Sequence, residues 1–290
     1  MNQKYALHGL SLLTCLIWST AFPVTRMIGD NLSSETVALT RCISALLVLI
    51  AVWLCQKKRN LPSGRDIPFF LVTGACGFAV YLILFTLGMR TVTSAESSVI
   101  IALTPVIVAA LSTIFLGEKI GPRGWAATAG AFTGVAVLML WENGADIQPG
   151  MVFTLGASML FAVYNLVCRK LSSKGYSSID TVTFSMAAAV FLLLWQLPET
   201  FSELSSASLL PVILAVYLGV FPSAAAYALW AKALSIAEKT SEVTNYMFVT
   251  PLFATVLGTV MLNEFPDAGT YIGGIIIVSM VILFNLSQKK

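Results

Sequence analysis

Ten stretches of about twenty residues run along the chain without Asp, Glu or Lys, and each is bounded by polar or charged positions. Their limits are Tyr5 to Thr25, Thr36 to Cys55, Ile67 to Met89, Ser97 to Gly117, Gly124 to Trp141, Ile147 to Cys168, Thr181 to Pro198, Leu204 to Ala231, Val243 to Asn263 and Ala268 to Gln288. A hydrocarbon core about 30 Å thick takes roughly 20 apolar residues of α-helix, so each stretch has the length of a transmembrane span. The pattern predicts an all-α integral membrane protein of ten transmembrane helices. Arg41 is the one arginine inside a stretch.

The basic residues set the orientation. With the N-terminus in the cytoplasm, the inner connections carry Lys57, Lys58, Arg59 and Arg65, then Lys119 and Arg123, then Arg169, Lys170 and Lys174, then Lys232 and Lys239. The outer connections carry only Arg26 and Arg90. By the positive-inside rule both termini are cytoplasmic. The connections are short, and no soluble domain or low-complexity tail is expected. The first stretch exceeds a signal-peptide core and no small-residue cleavage site follows it, so it is read as a retained helix.

An internal repeat sharpens this picture. Leu103-Thr104-Pro105 through Leu116-Gly117-Glu118 recurs as Val249-Thr250-Pro251 through Leu262-Asn263-Glu264, displaced by 146 positions. The same displacement superposes Tyr81 on Tyr227 and Glu96 on Glu242, while 143 positions match Arg26 with Arg169 nearer the N-terminus. The chain divides into residues 1–141 and 147–290, five helices each. An odd number turns the second unit upside down relative to the first, as does the contrast between the basic Lys57–Arg59 loop and its acidic counterpart around Glu199 and Glu203. Inverted repeats that rock about a midplane site are a recurring transporter design.

Cys15-Leu16-Ile17-Trp18-Ser19-Thr20-Ala21-Phe22, the paired Thr-Pro…Leu-Gly-Glu and Thr-Pro…Leu-Asn-Glu stretches, and Tyr227-Ala228-Leu229-Trp230-Ala231-Lys232-Ala233-Leu234 resemble the EamA-type branch of the drug/metabolite transporter superfamily. The resemblance spans nearly the whole chain. It implies two inverted five-helix repeats around a central cavity lined mainly by helices 1, 3, 4, 6, 8 and 9. It also leans toward efflux of a small metabolite, such as an amino acid or amphipathic compound, across a bacterial inner membrane. The departure is Asn263 where the first repeat has Gly117. Import or exchange of a small polar metabolite is the alternative, since alternating access is reversible.

Several residues stand out against this apolar background. Trp18, Phe22, Phe78, Tyr81, Phe85, Tyr164, Tyr227, Trp230, Tyr246 and Phe248 fall in the helices expected to line the cavity, where rings supply dispersion and their polar tips donate hydrogen bonds. Phe78, Tyr81 and Phe85 share one helix face. Asn165 and Asn245 are costly in hydrocarbon unless paired, so each either binds solute or bridges helices. Pro105 and Pro251, at matching positions, are expected to kink their helices and to serve packing or gating. Pro23 and Pro222 invite the same reading.

The charged residues have alternatives. Arg41 lies about 8 Å from its segment's outer edge. Its long side chain favours snorkelling to the interface over meeting a substrate carboxylate. Glu96 has the spacing of a capping box with Thr93, and proton coupling is the other reading. Glu242 has Lys239 in place of the threonine, leaving its role more open. Glu118 and Glu264 read as symmetric structural or gating contacts.

Composition excludes other classes. Charged residues make up 11% of the 290, less than half the roughly 25% of soluble proteins. A net charge of +3 is too small and dispersed for a nucleic-acid surface. One histidine, five isolated cysteines and no aspartate within a segment leave no metal set, disulfide framework or intramembrane catalytic centre. No cofactor is expected, and an enzyme is not. A receptor or scaffold remains the other class, though it has no need of an inverted repeat. The partners are a small metabolite and the lipid bilayer. Gly130 with Gly134, and Gly269 with Gly273, read as helix-packing pairs, compatible with a monomer or a homodimer.

Overall fold

The computed structural model describes residues 2–116, 121–141, 148–238 and 240–287. Gly117, Glu118, Lys119, Lys239 and the side chains of Asn245 and Phe248 lie outside what is described.

The apolar stretches form α1 (Asn2–Ile28), α2 (Ser34–Leu54), α3 (Ile67–Met89), α4 in two pieces (Ser94–Ile101 and Thr104–Leu116) and α5 (Pro122–Leu140). The second half supplies α6 (Pro149–Ser173), α7 (Ser178–Ser206), α8 (Leu209–Ile236), α9 (Thr240–Thr244 and Val249–Leu262, joined by a 3-10 turn) and α10 (Ala268–Ser287). Among the described residues, eight helices are long and apolar enough to cross a membrane, and the stretch Ala268–Met280 of α10 is a shorter apolar helix.

One boundary is corrected. The eighth stretch does not start at Leu204. That residue belongs to a short helix, Leu197–Ser206, continuing α7 after a 3-10 turn. Pro198 at its first turn and the extended Ala207 after its Ser-Ser end set its limits, and α8 begins only at Leu209.

Duplication is visible in how helices pair. The helix α1 packs on α8 and α9, and α6 packs on α3 and α4; α2 packs on α7 and α8, and α7 on α2 and α3. The pairs α4–α9 and α5–α10 belong to the same pattern. Exchanging every helix for the one five places along maps this pattern onto itself, as a pseudo-twofold axis requires. The turns after α1 and α6 match as well, at Gly29 (φ 55°) and Gly175 (φ 93°).

The small-residue pairs bring α5 and α10 together. A Cβ on Gly134 would lie 3.0 Å from the Gly273 carbonyl oxygen and 2.8 Å from Ile277. These glycines are thus used within the bundle.

The Leu-Asn-Glu stretch ends α9. Asn263 adopts φ 55°, the left-handed conformation that glycine and asparagine tolerate best. The Glu264 amide then donates to the Gly258 carbonyl at 3.3 Å, and the Thr259 hydroxyl donates to the Glu264 carbonyl at 2.8 Å. Asn263 in place of Gly117 is therefore a conservative change: both residues suit a helix-terminating turn. That turn aims the carboxylate that follows.

Asp66, just before α3, is tied to the loop after α6. It is 8% exposed, is paired with the Lys174 ammonium and accepts from the Tyr176 hydroxyl at 2.9 Å. Those donors hold its carboxyl below the ordinary carboxylate range. A depressed folded-state value means the contribution to stability is complete above the unfolded carboxylate's titration, near pH 4, and is lost as pH falls through the depressed value. Asp66→Asn is expected to lower the melting temperature of the detergent-solubilised protein at neutral pH. The gap between variant and wild type should close as the buffer becomes acidic; a gap independent of pH would contradict this.

Candidate functional site

Both halves wall a small pocket of about 30 Å³ at the bundle centre, lined by Trp18, Ala21, Phe22, Arg41, Tyr81, Phe85 and Ile101 from the first half and by Phe161, Tyr227, Met247 and Thr250 from the second. Its volume is enough for water but not for a metabolite.

The walls are held by local departures from α-helix. The turn Ala75–Ala79 of α3 and the turn Gly219–Ala225 of α8 are both π-helical, and the repeat displacement of 146 carries 75–79 onto 221–225. A π-turn leaves carbonyls without their usual i+4 donor, and such turns concentrate at functional sites. Here two carbonyls of these turns accept from the aromatic wall. The Tyr227 hydroxyl donates to the Gly77 carbonyl at 2.8 Å, and the Trp18 indole donates to the Pro222 carbonyl at 2.9 Å. Pro222, with no amide hydrogen, fits within the second π-turn.

The rings interlock. Phe161 lies edge-on to Trp18 at 5.4 Å and to Tyr227 at 6.0 Å, and is tilted against Tyr81 at 5.4 Å. Phe22 meets Phe85 edge-on at 5.3 Å, and Phe85 stacks with Tyr81 at 5.9 Å. These separations fall in the favourable aromatic range.

The repeat-related tyrosines Tyr81 and Tyr227 both line the pocket, as do Trp18 and Phe22. Phe78, Tyr164, Asn165 and Trp230 are completely buried behind the lining. Asn165 works as a helix bridge: its amide donates to the Phe161 carbonyl at 2.7 Å, and its oxygen accepts from the Trp230 indole at 2.8 Å. Tyr246 lies elsewhere, hydrogen-bonded to His8 of α1. Asn245 contributes a backbone position in the 3-10 turn that interrupts α9. Pro105 and Pro251 each follow such an interruption: α4 leaves α-helical geometry over Ala102–Leu103 before Pro105, and α9 does so over Asn245–Phe248 before Pro251.

One charged residue departs from its expected placement. Arg41 does not snorkel. It is 3% exposed, and its guanidinium donates from Nε at 3.3 Å and from Nη2 at 3.2 Å to the Ser223 hydroxyl in the π-turn of α8. The reason is close packing of α8 on α2, where a Cβ on Gly219 would come within 2.7 Å of the Arg41 carbonyl oxygen. That approach brings Ser223 within reach. Glu242, which lacks the capping threonine, nonetheless accepts from a backbone amide, that of Glu238 at 3.2 Å, and is exposed. Glu96 closes a capping box with Thr93, at 3.2 and 2.6 Å.

Sequence reasoning missed two parts of this arrangement. Phe161 is the ring touching the most others, and its signal is its place with Tyr164, Asn165 and Cys168 on one face of α6. The second part is a latch at the ends of α1, α4 and α9. Arg26 Nε lies 2.5 Å from Glu264 Oε1, Glu264 Oε2 accepts from the Ser94 amide at 2.8 Å, and Arg26 also donates to the Val92 carbonyl. At the far end of the bundle, Arg169 donates to the Glu238 carbonyl. Arg169 and Glu238 are the repeat counterparts of Arg26 and Val92. There a wider pocket of about 580 Å³ lies between α3, α4 and α6, bordered by Phe69, Leu111 and Arg169.

Apolar spanning helices, a duplicated unit and a pocket between its copies define a multi-pass helical membrane protein built by duplication. The chain belongs to the EamA-like transporter family, whose profile matches residues 7–140 and again residues 148–286. Members of this family are transporters, not enzymes. The chain is 28% identical over 277 residues to the "Probable terminal-alkyne amino-acid exporter" of Streptantibioticus cattleyicolor, covering 94% of this chain and 91% of that one. It is 28% identical over 275 residues to the "Uncharacterized transporter YdfC" of Bacillus subtilis, covering 94% and 89%. An "S-adenosylmethionine uptake transporter" of Rickettsia bellii is 25% identical over 301 residues, covering 100% and 98%. A solved crystal structure shares the fold with a TM-score of 0.68 at 18% identity, covering 98% of both chains.

Proposed function

We propose that this protein is an alternating-access exporter of a small amphipathic metabolite, with amino acids the leading class, in a bacterial inner membrane. The observation that carries this reading is the aromatic pocket between the two halves, lined by side chains of both. In this reading ten helices cross the membrane in two inverted units, and the basic loops hold both termini in the cytoplasm. The Arg26 end is then external and latched, while the wide pocket beside Arg169 is internal. A latched outside and a roomy inside suit a conformation sealed on its outer side. The substrate is a small molecule, no cofactor is used, and the working unit is a monomer or a homodimer. Uptake is the second reading, favoured by the relatives named for S-adenosylmethionine uptake.

The test is accumulation of radiolabelled amino acids by inside-out vesicles containing the protein. Accumulation above protein-free vesicles is expected. Tyr81→Ala, removing ring contacts worth roughly 1 kcal/mol, should weaken apparent affinity about fivefold without loss of folding. Uptake by right-side-out vesicles alone would reverse the direction, and a folded protein inert to a broad metabolite panel would overturn transport.

A further inference from the structure

We infer that Arg41 is the carboxylate-binding residue of this pocket, so that the transported compounds carry a carboxylate beside an apolar or aromatic body. The inference rests on the transport reading and narrows its substrate class.

Arg41 is buried between α2 and α8 of a membrane protein, where an arginine persists when it is paired or faces a cavity. Its partners leave it incomplete. Nε and Nη2 share one neutral acceptor, the Ser223 hydroxyl, while Nη1 is buried with no hydrogen-bond partner. Among the described residues, Arg41 is in none of the ion pairs, which join Arg26 to Glu264, Arg90 to Asp30 and Lys174 to Asp66. The other pocket-lining side chains are neutral. A buried guanidinium with an idle donor and no anion is unfavourable unless an anion arrives.

The geometry selects which anion. A guanidinium offers paired N–H donors that match a carboxylate's two oxygens. Ser223 engages Nε and Nη2 of this pocket-lining residue and leaves Nη1 without a partner. The pocket is shared with Trp18, Phe22, Phe85 and Phe161, rings that favour an apolar or flat substituent and give nothing to a small hydrated inorganic ion. Because the pocket has room for only about 30 Å³, the carboxylate binds after the wall has widened.

The experiment uses the purified full-length protein in proteoliposomes with three acid and amide pairs: L-phenylalanine and L-phenylalaninamide, L-leucine and L-leucinamide, 3-phenylpropionate and 3-phenylpropanamide. The acids are expected to be counter-transported at least about tenfold better than their amides. Arg41→Gln, checked for monodispersity and melting temperature, should lose that preference and about tenfold in acid transport, with Arg41→Lys retaining part of it. Should Arg41→Gln fail to fold, the wild-type preference and Arg41→Lys decide. Amides moved as well as acids, acid transport unchanged in a folded Arg41→Gln, or competition by chloride without acid preference would overturn this inference and leave transport standing. No flux of any member in wild type, where a wider metabolite panel is moved, overturns it as well. Inertness to that panel removes the transport reading itself.

Discussion

Arg26→Gln and Glu264→Ala are each expected to unlatch the Arg26 end and shift the protein toward the opposite-facing conformation. The pair is partly buried, with side chains 28% and 11% exposed, so removing one partner falls below the 3–5 kcal/mol of a fully buried pair. An effect of about 2 kcal/mol changes a two-state equilibrium roughly thirtyfold. Hydrogen exchange of the Ser94–Ile101 amides should accelerate, because Glu264 no longer secures the start of α4. Glu264→Gln keeps one oxygen for the Ser94 amide and should show the smaller effect. The charge swap Arg26→Glu with Glu264→Arg should not restore protection. A glutamate at 26 cannot donate to Val92, and an arginine at 264 cannot accept from Ser94. Rescue by the swap would reduce the latch to a simple ion pair.

The repeat supplies the opposing experiment. Arg169 holds the position of Arg26 in the second half, and Glu118 is the sequence counterpart of Glu264. Substituting either should bias the protein away from closure at the Arg169 end. Opposite shifts from the two pairs would show that the latches compete; identical shifts would refute this.

Spans, repeat and Tyr81–Tyr227 pairing were legible in sequence because each rests on periodicity or self-similarity, which one chain carries within itself. Arg26 and Glu264 were visible separately but not as partners. They lie 238 positions apart, and only the packing of α1 on α9 joins them. Arg41 was misplaced for a similar reason. Depth along α2 suggested snorkelling, whereas the deciding fact is the close approach of α8, which the Gly219 position permits. The π-turns have no comparable signature, although Pro222 marked one of them.

Gly77→Ala is the expected large effect at the other π-turn. A Cβ there would lie 2.8 Å from Tyr164 Cε2 and 2.9 Å from Cγ, closer than side-chain carbons approach. Tyr164 cannot swing aside, since it is fully buried, stacked on Phe161 at 5.5 Å and edge-on to Phe78 and Tyr227. Overpacking of this kind costs about 1–3 kcal/mol and should lower the melting temperature. It should also displace the Gly77 carbonyl from the Tyr227 hydroxyl and reduce transport. Gly9→Ala, with nothing within 4 Å of its added carbon, is the control and should be neutral or slightly stabilising. If the clash with Tyr164 is the cause, Gly77→Ala with Tyr164→Ala will be more stable than the two single losses predict, because the cavity left by the ring receives the methyl group. Strict additivity would mean that the π-turn backbone, rather than the ring it packs against, is what the glycine serves.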